Sequence, residues 1–187
     1  AAMRELRVVG SDLDHFECPR CGAHDRERHL LLYLRATGFW QRIPSLRVLH
    51  FAPERRLARL LSAAGPALYV KCDLVPTASD IQRIDMLGIP YPDASFDLVF
   101  ANHVLEHVAD DRAAVSEVAR VLAPGGHAIL QTPYSAVLQS TLEDAGISSP
   151  SARLQLYGQE DHVRLFGQDV FSRIASAGLE PLVVRHA

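Results

Sequence analysis

The residues best suited to chemistry in this chain follow apolar runs. Val48-Leu49-His50-Phe51 leads into Ala52-Pro53-Glu54, residues 67–72 into Asp73-Leu74, residues 81–84 into Asp85-Met86, and residues 96–101 into Asn102-His103. An acid about 20 residues beyond the turn of a first strand stands where dinucleotide-type folds hold ribose hydroxyls. Asp73 has that spacing from Ala52-Pro53, and Asp85 repeats the arrangement one strand later. Plainer roles remain open: Asp85 can cap a turn, and His103 can be a satisfied core histidine.

A second candidate is Cys18-Pro19-Arg20-Cys21-Gly22, the shape of half a zinc knuckle. Structural zinc takes four ligands, and no second Cys-x-x-Cys exists, so His15, His24 or His29 would have to complete the set with Cys18 and Cys21. Two alternatives stay open, a small turn with two semi-buried thiols and a thiol redox pair. The test is whether four ligands converge.

Such residues need a scaffold. Strands are expected at 46–51, 67–72, 81–84, 96–101, 127–131 and 182–184, alternating with helical patterns, which is the signature of βαβ units on a parallel sheet. The run 96–101 is almost continuously apolar, as for a strand buried on both faces. Leu57, Leu60, Leu61 and Ala64 mark one helix face; Val115, Val118, Ala119 and Leu122 mark another, with Asp110 or Asp111 as its cap. Residues 25–36 form an amphipathic helix with Asp25 and Glu27 in the first turn, and Val170, Phe171 and Ile174 face inward on a last helix that Gly178 stops. The expected class is α/β, a three-layer sandwich of about six to seven strands. Its ligands would bind beyond the carboxyl ends of those strands.

From Asp85 onward the pattern becomes specific. Asp85, Ile89-Pro90-Tyr91-Pro92-Asp93, Ser95-Phe96-Asp97, Asn102-His103-Val104-Leu105-Glu106-His107-Val108 and Val121-Leu122-Ala123-Pro124-Gly125-Gly126 occur in order. Together they resemble the class I S-adenosylmethionine-dependent methyltransferases, within them the small-molecule group called type 11. The resemblance runs from about Leu46 to Val184. It implies a Rossmann-like domain over 41–187. Within it residues 134–161, long and weakly periodic for a plain connection, are expected to be a lid. The segment at 1–40, with the Cys-x-x-Cys turn and a helix that covers the cleft or packs on the sheet edge, lies outside the resemblance. The resemblance also implies S-adenosylmethionine as cofactor and a small-molecule O or N acceptor. Phe51, Ala52, Pro53 and Glu54 would line the methionine and ribose side, and Asp73 would accept from the ribose hydroxyls. Leu74 would pack on adenine, Asp85 would accept from its amino group, and Met86 would donate a backbone N–H. Asn102 and His103 would floor the methionine end. The family's first loop is an acid followed by G-x-G-x-G; here it is His50-Phe51-Ala52-Pro53-Glu54-Arg55. Two readings follow, a turn still shaped for cofactor with Glu54 as the carboxylate, or a noncatalytic scaffold whose site has closed.

Methyl transfer to a hydroxyl or ammonium also needs a proton removed, and His103 and His162 are the candidate bases, with no dedicated base as a third option. His162 sits beside Glu160, Asp161 and Arg164, a cluster that can face the acceptor or pin the lid. The 187 residues are 48% apolar with a formal charge of -3, which suits one globular domain and gives no reason to expect nucleic acid. No run approaches the roughly 20 apolar residues of a membrane span. Three cysteines make no closed disulfide framework, so a cytoplasmic setting is expected. A sheet edge left open after residue 184 would make a homodimer plausible.

Overall fold

The computed structural model describes residues 5–10 and 15–183. Its centre is a parallel sheet of five strands: β2 (Arg47–Phe51), β3 (Leu68–Asp73), β4 (Gln82–Arg83), β5 (Phe96–Asn102) and β6 (Leu122–Gln131), in the order β4-β3-β2-β5-β6. β5 pairs with β2 on one side and β6 on the other, and Phe96 and Leu98 to Asn102 are all buried. That is why this run is apolar without alternation. Strand order reverses between β2 and β5, so their carboxyl ends flank the crevice where open α/β sheets bind ligands.

The helices between the strands bury the faces that their spacing requires. They are α1 (Asp25–Ala36), α2 (Phe39–Arg42), α3 (Arg55–Ala64), α4 (Asp111–Val121), α5 (Pro150–Tyr157) and α6 (Val170–Ser176). On α3 the buried residues are Leu57, Ala58 and Leu61, whereas Leu60, expected inside, is 41% exposed. The buried stripe is thus centred on the 57–61 line, one position off the sequence estimate. On α4, Ala114 and Val121 join Val115 and Val118, and Asp110 is the cap, its carboxylate accepting from the Ala113 N–H at 2.9 Å. Strand β6 starts at Leu122 rather than after Pro124-Gly125-Gly126, because a register shift between Phe96 and Leu98 absorbs the glycines. Gly126 must lack a side chain: a Cβ there would come within 2.8 Å of the Ala123 carbonyl oxygen.

Five strands, not six or seven, make the main sheet among the described residues. Leu182 and Val183, expected in a last strand, carry no strand pairing and are 68% and 57% exposed; Val184 lies outside the described residues. The 134–161 stretch contains β7 (Tyr134–Ser135), β8 (Leu142–Glu143) and α5. β7 pairs with β1 (Val8–Val9), and β8 with β9 (Arg164–Leu165). Among the described residues, no helix is long and apolar enough to cross a membrane.

Candidate active site at the carboxyl edge of the sheet

After β2 the chain turns at Ala52, whose φ of +44° lies in the left-handed region that favours glycine. The Ala52 N–H is held by the Cys72 carbonyl at 2.9 Å. Glu54 then occupies the N-cap position of α3 without capping it. Its carboxylate instead meets His50 Nε2 at 3.0 Å and accepts from Asn102 Nδ2 at 3.2 Å, spanning the crevice between β2 and β5. Burial opposes charge on Glu54, but the hydrogen bond and charge of His50, with help from Asn102, hold its carboxyl below the ordinary range. A carboxylate only accepts, so His50 Nε2 carries a hydrogen. The Tyr69 hydroxyl, which burial keeps protonated, meets His50 Nδ1 at 2.9 Å.

Asp73 and Asp85 stand at the ends of β3 and just past β4. Each folds one oxygen back on an N–H two residues on, Val75 for Asp73 and Leu87 for Asp85, both at 2.9 Å. Leu74 and Val75 beside Asp73 are 55% and 71% exposed, an apolar surface left open next to a carboxylate. Met86 and Phe51 are buried.

At the end of β5, Asn102 is buried and His103 has a φ of +54°. Two non-glycine residues, Ala52 and His103, therefore take left-handed conformations at the ends of adjacent central strands, the kind of local strain that gathers at functional sites. The Asn102 amide is oriented by its donation to Glu54, which leaves Oδ1 buried and without a partner; Gln131 Oε1, on its register neighbour, is also unpartnered. Two acceptor oxygens thus wait at this edge for donors. His103 Nδ1 lies 3.1 Å from Glu106 Oε1, and Glu106 Oε2 accepts from the Thr132 hydroxyl at 3.0 Å. Burial opposes charge on Glu106 too, and its contacts with His103 more than offset this, so its carboxyl sits below the ordinary range.

Next to His103 is a cavity of about 500 Å³. Gln131, Thr132 and Tyr134 line it from the end of β6 and beyond, and Asp25, Arg26 and His29 line it from α1. Of the two candidate bases, His103 faces this cavity. His162 is 3% exposed, does not line the cavity, and has its Nδ1 on the Tyr157 carbonyl at 3.1 Å. Arg164 is buried among the carbonyls of Leu105, Val108 and Ala109 and pairs with Glu143, so it fastens the 105–109 turn.

Sequence reasoning missed Glu106, Thr132, Gln131 and the first turn of α1. Glu106 could have been found from its spacing of three after His103 within one tight turn; Thr132 and α1 come from distant parts of the chain and carry no such signal. Cys18 and Cys21 are free, and among the described residues no third His, Cys, Asp or Glu converges on them. His24, one of the ligands expected to help, is stacked on Phe16 with its Nε2 3.6 Å from Glu17. The expected zinc set at the knuckle is therefore not supported. Its turn is held by backbone bonds from Cys18 to Ala23 and from Gly22 to Cys18, and Arg28 braces it by donating to the Ala23 carbonyl.

The strand order, with its reversal between β2 and β5, and the polar row along the carboxyl edge are those of a doubly wound, Rossmann-like α/β fold. Residues 55–130 match the family described as a methyltransferase domain, the type 11 group. It is 32% identical over 97 residues to the 27-O-demethylrifamycin SV methyltransferase of Amycolatopsis mediterranei, covering 52% of this chain and 34% of that protein. The chain thus spans about a third of that relative's length. Among solved structures it is similar to the YcgJ protein of Bacillus subtilis, with a TM-score of 0.60 at 21% identity over 82% of this chain and 68% of that one. It is also similar to the 1,6-didemethyltoxoflavin-N1-methyltransferase of Burkholderia thailandensis with bound 1,6-didemethyltoxoflavin and S-adenosylhomocysteine. There the TM-score is 0.61 at 15% identity over 85% and 69% of the two chains. At these identities the two structures bear on the fold.

Proposed function

We propose that this domain transfers the methyl group of S-adenosylmethionine to an oxygen or nitrogen of a small molecule held in the cavity beside His103. The observation that carries the reading is that Gln131, whose Oε1 is partnerless, lines that cavity with His103, the residue next to Asn102. Asn102 Oδ1 and Gln131 Oε1 lack donors, and His103 borders both the crevice end and a space of about 500 Å³, within the range of small-molecule pockets. The names of the relative and of the Burkholderia enzyme, O- and N-methyltransferases of small molecules, point the same way.

The residues fit the cofactor. Glu54 and Asn102 Oδ1 would accept from its ammonium group, Asp73 from the ribose hydroxyls and Asp85 from the adenine amino group. Leu74 offers an exposed apolar side chain for the purine. When bound, S-adenosylmethionine supplies an already activated methyl group. The protein's task is then to align an acceptor atom and exclude water. Glu106 holds His103 by Nδ1, which leaves Nε2 to accept the hydrogen bond, and then the proton, of the acceptor's O–H or N–H. Ala52 adopts the left-handed conformation that glycine favours, which supports a turn shaped for cofactor over the scaffold alternative. The three free thiols suit a reducing cytoplasm.

Calorimetric titration of S-adenosylhomocysteine into the wild type and Asp73→Ala tests the reading. Micromolar binding weakened at least tenfold by the substitution, about 1.4 kcal/mol, is expected. No binding by the wild type would return the noncatalytic scaffold.

A further inference from the structure

A second group of side chains meets behind the turn that carries His103. Glu106, His107 and His162 each bring one donor atom to within 4.8 Å of the others. Glu106 and His162 are 1% and 3% exposed, while His107 reaches the surface.

The partners of the two imidazoles decide which nitrogens are available. His162 Nδ1 faces the Tyr157 carbonyl, and a carbonyl only accepts, so Nδ1 carries the hydrogen. His162 Nε2 therefore holds a lone pair, is buried, and has no partner. His107 Nδ1 lies 3.2 Å from Asp161 Oδ2, again an acceptor, which leaves its Nε2 as the lone-pair nitrogen. A backbone carbonyl and a carboxylate are the partners that metal-binding histidines place on their second nitrogen. Each Glu106 oxygen accepts one hydrogen bond, from His103 or Thr132, and retains acceptor capacity.

We propose that Glu106, His107 and His162 form a site for a divalent cation of the zinc type, bound through Nε2 of both histidines and one Glu106 oxygen. Two imidazoles and a carboxylate suit zinc and leave a fourth position for water. Donors bonded to zinc at ~2.0–2.1 Å lie roughly 3.3 Å apart, so the three side chains, which already bring a donor atom each to within 4.8 Å of the others, must draw together. The His107 ring lies at the surface, held by its contact to the exposed Asp161. The cation would staple the 104–109 turn to the segment after α5, alongside the Val163 N–H to Glu106 carbonyl bond of 2.9 Å. Through Glu106 it would also brace His103. The site does not depend on the methyl-transfer reading.

The test uses the full chain, stripped of metal by a chelator and titrated with Co(II) alone, then with Zn(II). Because Cys18 and Cys21 can also take these ions, the titration is run in Cys18→Ser/Cys21→Ser. A single Co(II) bound with visible d–d bands and no thiolate charge-transfer band, displaced by Zn(II) and raising the melting temperature, is the expected result. His162→Gln should weaken binding at least ~10-fold. Should that variant fail to fold, the surface change His107→Ala should weaken it likewise. Loss of all Co(II) binding in the cysteine variant, or full affinity retained without His162 or His107, overturns the site.

Discussion

Glu27 is the most informative residue to change, because one carboxylate serves two helices. It is 6% exposed in the first turn of α1. Its Oε2 accepts from the His24 N–H at 2.9 Å, and its Oε1 accepts from the Arg56 and Leu57 N–H groups at 3.1 and 3.2 Å. The last two are the first turn of α3, whose own N-cap residue, Glu54, is turned away toward His50 and Asn102. Glu27→Ala thus uncaps two helices at once. A lost cap costs about 1 kcal/mol and a buried bond to a charged group about 1.5–3 kcal/mol; water entering the smaller side chain's space offsets part of the sum. A loss of about 3 kcal/mol is expected, a large share of a total of roughly 5–15. Urea unfolding should show a lower midpoint at unchanged slope. Thermal unfolding should drop by ~6–12 °C at about 2–4 °C per kcal/mol for a chain of this size. Glu27→Gln keeps one acceptor oxygen and should lose about half as much. A change below about 1 kcal/mol for Glu27→Ala would refute the shared cap.

Three further outcomes follow from the same contacts. Ala52→Gly should stabilise by about 0.5–1 kcal/mol in thermal unfolding, since it removes a left-handed cost of ~1–2 kcal/mol and adds a glycine entropy cost of ~0.5–1; destabilisation would contradict the turn's conformation. Arg164→Met should cost about 3–5 kcal/mol in denaturant, because Glu143 and the carbonyls of Leu105 and Ala109 lose a buried cation; a neutral effect would mean the 105–109 turn holds itself. Asp97 is held below the ordinary carboxylate range by its hydrogen bonds with Arg47, and Glu117 by those with Arg120. A depressed folded pKa contributes stability that is complete above the unfolded pKa of about 4 and is lost as pH falls through the folded value. Stability should therefore be flat above about pH 5 and decline below about pH 4, and Arg47→Gln should flatten the Asp97 share of that decline.

Much of the candidate site was legible because strand ends announce themselves. A buried strand must be apolar, and the first polar residues after it mark its carboxyl edge; Glu54, Asp73, Asp85, Asn102 and His103 were placed at that edge this way. Glu106 was passed over, although its spacing of three after His103 allows the contact; that its second oxygen meets Thr132 is not written in the local sequence. The Cys-x-x-Cys spacing suggested a zinc set that no third ligand among the described residues completes. Short-range spacing signals a knuckle, but a complete ligand set requires distant residues to arrive.

Local periodicity, punctuated by Gly65, Pro124-Gly125-Gly126 and Gly178, determined by itself the alternation of strand and helix, and with it the α/β class and the edge on which chemistry would sit. Only the tertiary structure decided which carboxylate caps which helix, that Glu54 spans β2 and β5, that His103 rather than His162 borders the cavity, and that His162 meets Glu106 and His107 across 55 residues of chain. The physical reason is range. Burial patterns repeat every two or 3.6 residues and are written in neighbouring positions, whereas a hydrogen bond is specified by ångströms between atoms whose separation along the chain is arbitrary.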